Sequence, residues 1–137
     1  MGKEETRAFA QKLMEEVWEP FDSSAPPRFY HRGVIGHHRR ADGSTQELGY
    51  ADIANRLDWD RKISVNAVYD IRDIVAEEGR FAVQFVYKVD FGLTEDEIDV
   101  DNMYYYYLRD GKVAEWWLLA SADFDYKATG AEGMPSR

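Results

Sequence analysis

Cysteine is absent from this chain of 137 residues. Disulfides, thiolate metal sites, thiol nucleophiles and iron–sulfur clusters are thereby excluded. Long apolar runs are missing too. None approaches the roughly 20 residues of a helical membrane span, and Met1–Glu16 is charged and amphipathic rather than a signal peptide. The expectation is a cytoplasmic protein without membrane contact. Basic residues are scarce: 17 Lys and Arg stand against 26 Asp and Glu, a formal net charge of −9. Apart from a local cluster at Arg28, Arg32, Arg39 and Arg40, the chain lacks the positive footprint a nucleic acid needs, so no such partner is expected. Repeats, linkers and low-complexity blocks are also lacking. The chain reads as one domain over 1–137, with its core in about 4–126 and a frayed tail at 127–137.

Aromatic side chains are abundant, at 15% of the residues. The chain begins with an amphipathic segment, Glu4–Glu19, in which Phe9, Leu13 and Val17 recur at helical spacing and Met14 and Trp18 widen the stripe. Pro20 ends it. A short strand is expected at Val34–His38. Asp42-Gly43 marks a turn, and Ser44 with Glu47 has capping-box spacing, which predicts a second helix from about Thr45 to about Asp60 through Tyr50, Ile53, Ala54 and Leu57. The period then changes to two, with β-rich runs at Ile63–Ala76, Arg80–Phe91, Ile98–Leu108 and Lys112–Ala122. Helices followed by antiparallel hairpins predict an α+β domain with helices packed on one face of a curved sheet.

Asp110-Gly111 is a strong two-residue hairpin signal. It predicts pairing of Arg109 with Lys112, Leu108 with Val113, Tyr107 with Ala114, Tyr105 with Trp116 and Met103 with Leu118. One face then carries Asp101, Met103, Tyr105, Tyr107, Trp116 and Leu118. The other carries Tyr104, Tyr106, Glu115 and Trp117. Both are aromatic, whereas helices can cover only one. The second face is therefore expected to meet another copy of the chain, a homodimer through Tyr104, Tyr106, Glu115 and Trp117, with Arg72 as a candidate partner for Glu115.

Several segments resemble the SnoaL-like branch of the nuclear transport factor 2-like superfamily, which also holds ketosteroid isomerase. They are the opening helix, Phe29-Tyr30…Val34-Ile35-Gly36-His37-His38, the Tyr50…Ile53…Leu57 helix, Val68-x-Asp70-Ile71…Ile74-Val75-Ala76-Glu77 with Arg80-Phe81-Ala82-Val83, and Leu108–Trp117. The resemblance spans about Phe9 to Tyr126. It implies a cone in which N-terminal helices lie on the concave face of a mainly antiparallel sheet, enclosing an apolar pocket. It further implies an acid/base group where His38 stands, with His37 one register step away. An oxyanion-stabilising acid would fall near Met103, between Asp101 and Tyr105, while the isomerase's helical tyrosine falls near Met14 or Trp18. The nearest positions for a cyclase acid are Ser121 and Asp123. The fold carries over as an expectation, and no complete catalytic set does.

An imidazole titrates near neutrality and can take and return a proton within one turnover. Neighbouring strand residues face opposite ways, so only one of His37 and His38 enters the pocket. Asp101 or Tyr105 could polarise the reacting oxygen. Phe9, Met14, Trp18, Met103, Tyr107, Trp116 and Leu118 would line the apolar wall. A lone pocket histidine does not make a metal site, so neither metal nor cofactor is expected. The leading reading is a small-molecule enzyme of the isomerase, cyclase, dehydratase or hydrolase type, acting on an apolar, cyclic or carbonyl-bearing substrate. The alternative is a non-catalytic dimeric module that binds an apolar metabolite or a protein.

Overall fold

The structure, a computed structural model, describes residues 1–40, 42–63, 66–90 and 98–120. Helix α1 (Lys3–Leu13) runs into a π-helical turn, Met14–Trp18. A short α2 (Pro26–Phe29) leads into β1 (Tyr30–Arg39), β2 (Thr45–Leu48), α3 (Tyr50–Ile63), β3 (Asn66–Glu77), β4 (Arg80–Asp90), β5 (Ile98–Arg109) and β6 (Lys112–Ala120). The strands form one mixed sheet in the order β2-β1-β6-β5-β4-β3. Neighbours are antiparallel except β1 and β6, which run parallel. Helices lie over the inner face. This is the expected α+β architecture, an open sheet covered on one side.

Helical spacing explains the opening element. Ala10, Leu13, Met14, Val17 and Trp18 are all buried, and the chain continues inward because the last turn widens. Glu19 N–H donates to Met14 O and Asp22 N–H to Val17 O, both five residues back, so Val17 and Trp18 face the core together. The side chain of Arg7 donates to the Ile74 carbonyl at 2.9 Å, and Gly79 N–H donates to Thr6 Oγ1 at 3.1 Å, tying α1 to the β3–β4 end. Trp18, Tyr69, Phe85, Tyr104, Tyr106 and Phe81 pack ring against ring from there across the inner face.

Two expectations are corrected. Thr45–Leu48 is a strand paired with β1 (His38 opposite Gln46), and the helix starts only at Tyr50. Asp42 captures the supposed capping residue: its Oδ1 accepts from the Ser44 N–H at 2.8 Å and the Ser44 hydroxyl at 2.6 Å. With Gly43 at φ +90°, that turn closes a hairpin instead of opening a helix. The helix is capped later, where Gly49 N–H donates to Asp52 Oδ2 at 2.7 Å.

The second correction is a bulge. Asp110 and Gly111 adopt positive φ as a two-residue hairpin turn requires, and Arg109–Lys112 and Leu108–Val113 pair as predicted. The register then slips: Tyr107 lies opposite Glu115, Tyr105 opposite Trp117 and Met103 opposite Leu119, with Ala114 as the extra residue. One inserted residue exchanges the faces of β6 relative to β5. Trp116 and Leu118 therefore share the inner face with Tyr104 and Tyr106, whereas Glu115 and Trp117 share the outer face with Asp101, Met103, Tyr105 and Tyr107. The frayed tail at 127–137, Ser121, Asp123 and the ends of two predicted runs (Phe91 and Ala122) lie outside the described residues. Among those described, no helix is long and apolar enough to cross a membrane.

Candidate functional site

Strand alternation on β1 separates the two adjacent histidines. His38 points inward and is 2% exposed, while His37 points outward. His37 stacks on Trp117 with ring centroids 4.9 Å apart, and its Nε2–H donates to Glu115 Oε2 at 2.7 Å. Glu115 thus pairs with His37 on the same sheet, whereas Arg72 pairs with Asp70. The third histidine, His31, donates to the Arg109 carbonyl, at the far end of β1.

His38 borders a cavity of about 30 Å³ between β1, β5, β6 and α3. Trp18, Tyr104, Trp116, Leu118 and Ile53 form its apolar walls, with Leu48, Asp52 and Arg56 toward the half-buried rim. That volume suits one or two waters, or a single polar group of a larger ligand. Neither ring nitrogen of His38 has a hydrogen-bond partner, and neither does Trp116 Nε1. Buried polar groups are normally satisfied; these two side chains border one cavity, while Asn102 Oδ1 is likewise unpartnered away from it. Desolvation, aided by the positive charges of Arg40 and Arg56, pushes the His38 pKa down to about 4. The ring is therefore neutral near pH 7, one nitrogen carrying hydrogen and the other offering a lone pair.

Next to this cavity lies a second polar group, in which Asp60 pairs with Tyr87 and Arg56. Asp60 is completely buried on α3. It accepts from the Tyr87 hydroxyl at 2.7 Å and from Arg56 Nε at 3.2 Å. Burial raises the Asp60 pKa even though Arg56 and Tyr87 oppose the shift. Arg56, with its guanidinium 4.8 Å from the Trp59 ring, is consequently held at the cavity rim rather than free to swing. The sequence reading missed Arg56 and Asp60. The available signal was Asp60 itself, an acid falling on the Ile53–Leu57 helical stripe where an apolar residue is expected.

The other predicted site residues divide cleanly. Trp18, Trp116 and Leu118 join His38 at the cavity. Met14 is buried in the core, and Phe9 packs on Phe29 and Phe81 at 5.5 and 6.1 Å, neither at the cavity. Asp101, Met103, Tyr105 and Tyr107 are carried to the outer face by the Ala114 bulge, away from His38. Tyr104 and Tyr106, assigned from the sequence to a subunit contact, are instead buried inside. Among the described residues, no three His, Asp or Glu side chains converge as a metal site.

No family model matches the sequence, and no curated protein does. Solved structures do match. PrhC from Penicillium brasilianum aligns over 86% of this chain and 81% of its own, with TM-score 0.72 and 17% identity. A protein of Jannaschia sp. provisionally named a SnoaL-like polyketide cyclase aligns over 98% and 95%, with TM-score 0.69 and 14% identity. IdmH of Streptomyces antibioticus, also provisionally named a polyketide cyclase, aligns over 84% and 91%, with TM-score 0.71 and 12% identity. At such identities the likeness speaks for backbone architecture alone. This chain shares the SnoaL-like fold.

Proposed function

We propose that the protein is a cytoplasmic small-molecule enzyme that moves a proton on an apolar, carbonyl-bearing substrate, with His38 as acid and base. The observation that carries this reading is the neutral, unpartnered His38 ring on an aromatic-walled cavity. A neutral imidazole offers a lone pair to a proton, and a pKa displaced by burial is a pattern found at functional sites. The cavity accommodates the reacting group, and the rest of the substrate would lie over the Leu48–Asp52 rim. The structural neighbours provisionally named polyketide cyclases support a carbonyl-bearing substrate. The test is a screen of enolisable ketones and epoxides with the native protein and His38→Gln. The variant is expected to lose roughly 10²–10⁴-fold in rate, the usual contribution of a positioned acid/base group. Equal rates would remove His38 from the reaction.

The small cavity favours one alternative, a module that binds an apolar metabolite without transforming it. Tight ligand binding with no turnover across that screen would select it.

Either reading takes the outer face as the contact between two copies. Ile35, Met103, Tyr107 and Leu119 are 43, 42, 38 and 47% exposed there, around the His37–Glu115 pair. A two-fold axis would set each copy's apolar patch and its charges of both signs against the same patch. Light scattering is expected to give a dimer for the native chain and a monomer for the Met103→Lys, Leu119→Lys double variant.

A further inference from the structure

Tyr105 and Asp101, the sequence candidates for polarising a substrate oxygen, both lie on the wrong face, which leaves that task open. Among the described residues, Trp116 joins Arg56 as a donor on the cavity that holds His38. Trp116 is 6% exposed, borders the cavity with His38, and has an indole N–H without an acceptor. Indole nitrogen is a donor only, so no rotation or tautomer can satisfy it from the donor side of a neighbour. The ring is seated over a glycine. Trp116 lies opposite Gly36 on β1, and a Cβ at Gly36 would sit 2.1 Å from the indole Cε2 and Cζ2 atoms. The bare glycine is the space the ring occupies, and any side chain at position 36 would collide with the indole edge that carries the nitrogen. Trp18 makes the contrast: its N–H is used, donating to the Tyr30 hydroxyl at 3.0 Å.

We infer that Trp116 Nε1–H is the donor that holds the carbonyl oxygen of the ligand, so that this cavity selects compounds bearing a hydrogen-bond-accepting oxygen over hydrocarbons of the same shape. The inference rests on the acid–base reading only for its chemical consequence. There, the bare His38 nitrogen takes a proton from the carbon next to the carbonyl. The C–H pair becomes the C=C bond of the enolate, and the carbonyl π pair moves to oxygen. That oxygen accepts from Trp116 Nε1–H more strongly as its charge grows, and His38 then returns a proton to carbon, a deuteron where its ring N–H has exchanged with D₂O. Nothing is oxidised or reduced. In the ground state, the same hydrogen bond orients the carbonyl. The inner face supplies His38 and Trp116 as diagonal neighbours, since His38 pairs with Leu118 and Gly36 with Trp116.

The probes are cyclohex-2-enone and cyclohexene, titrated into ¹⁵N-labelled native protein while the four indole N–H signals are followed by NMR. The Trp116 signal is assigned through its contacts to Gly36, which makes this arm independent of any variant's folding. The enone is expected to move the Trp116 indole proton downfield and leave that of Trp18 in place, and cyclohexene is expected to move neither downfield. Trp116→Phe should weaken enone binding about tenfold and change cyclohexene binding less than twofold. The inference is overturned if both probes act alike, if the enone binds without moving the Trp116 signal, or if neither binds. Deuterium uptake by the enone separates the two readings. An enone held by Trp116 but deuterated equally fast by native protein and His38→Gln would sink the acid–base function and leave this inference standing. His38-dependent uptake with an unmoved indole would do the reverse.

Discussion

The inner and outer faces of the sheet draw on the same residue types, His, Tyr and Trp, and treat their polar atoms in opposite ways. Outside, His37 has Glu115 as partner and Trp117 as a stacking surface, and water remains within reach of both. Inside, water cannot compensate, so each polar atom has only what the fold supplies. Asp60, Tyr87 and the Trp18–Tyr30 pair are satisfied there. His38 and Trp116 are not, and both meet the cavity. Adjacent residues of one type, His37 and His38, thus acquire different chemistry from a single alternation of the strand. Burial makes His38 a neutral base in waiting, while the same ring one step away serves as half of a surface pair.

The sharpest way to test that difference is to remove one carboxylate from each face. Asp60→Ala removes the buried acceptor shared by the Tyr87 hydroxyl and Arg56 Nε. The expected loss is about 3–5 kcal/mol, the usual cost of breaking a buried charged pair on one side. Asp70→Ala removes an outer carboxylate that pairs with Arg72 at 2.9 Å and Lys88 at 3.6 Å, where solvent screens the charges. Less than about 1 kcal/mol is expected. Urea midpoints of the two variants give the comparison directly. Equal losses would mean that the inner network is no more isolated from water than the sheet surface.

A smaller effect separates the histidines. The folded His38 pKa of about 4 lies below the ordinary imidazole value near 6.5, so the unfolded chain binds the proton first as pH falls. Stability is therefore unaffected by His38 above about pH 6.5 and is lost progressively as pH drops toward 4. By pH 5 the loss is about 2 kcal/mol, and over the full window about 3 kcal/mol. Unfolding of native protein and His38→Gln at pH 7 and pH 5 isolates this contribution from that of Asp60, whose raised pKa acts in the opposite sense. The variant should lose less on acidification than the native chain. If His38→Gln shows the native pH dependence, the ring is hydrated and the dry-site argument fails.

Much of this difference was legible in the sequence, and its limits have physical causes. Apolar spacing gave α1, the Asp110-Gly111 pair gave the last hairpin, and alternation required that only one histidine enter the pocket. The bulge was not legible. Val113-Ala114-Glu115 contains no glycine or proline to announce it, and one inserted residue is enough to exchange the faces of β6. Every misplacement among Met103, Tyr104, Tyr105, Tyr106 and Tyr107 follows from that slip. The capping-box spacing at Ser44 and Glu47 was genuine, but a competing Asp42 turn two residues earlier took the serine. Arg56 and Asp60 went unread because their i, i+4 spacing resembles an ordinary surface pair; only the position of Asp60 on an apolar stripe distinguishes it.

The smallest predicted effect is the most informative about what covers the outer face. If the His37–Glu115 pair faces water, a double-mutant cycle with His37→Gln and Glu115→Gln should give a coupling below about 1 kcal/mol that shrinks further in high salt. The geometry alone, with Glu115 41% exposed, predicts that result for a single chain. A second copy seated on Ile35, Met103, Tyr107 and Leu119 would change it, because the pair would then be desolvated and its loss would leave one polar group buried. The coupling should then exceed about 1.5 kcal/mol, resist salt, and fall back to the exposed value in the Met103→Lys, Leu119→Lys background. A coupling that is small in both backgrounds would leave the two faces as different as they are in the isolated chain. A large one that collapses in the double variant would mean that dimerisation turns the outer face into a second interior, whose histidine is paired where that of the first is free to react.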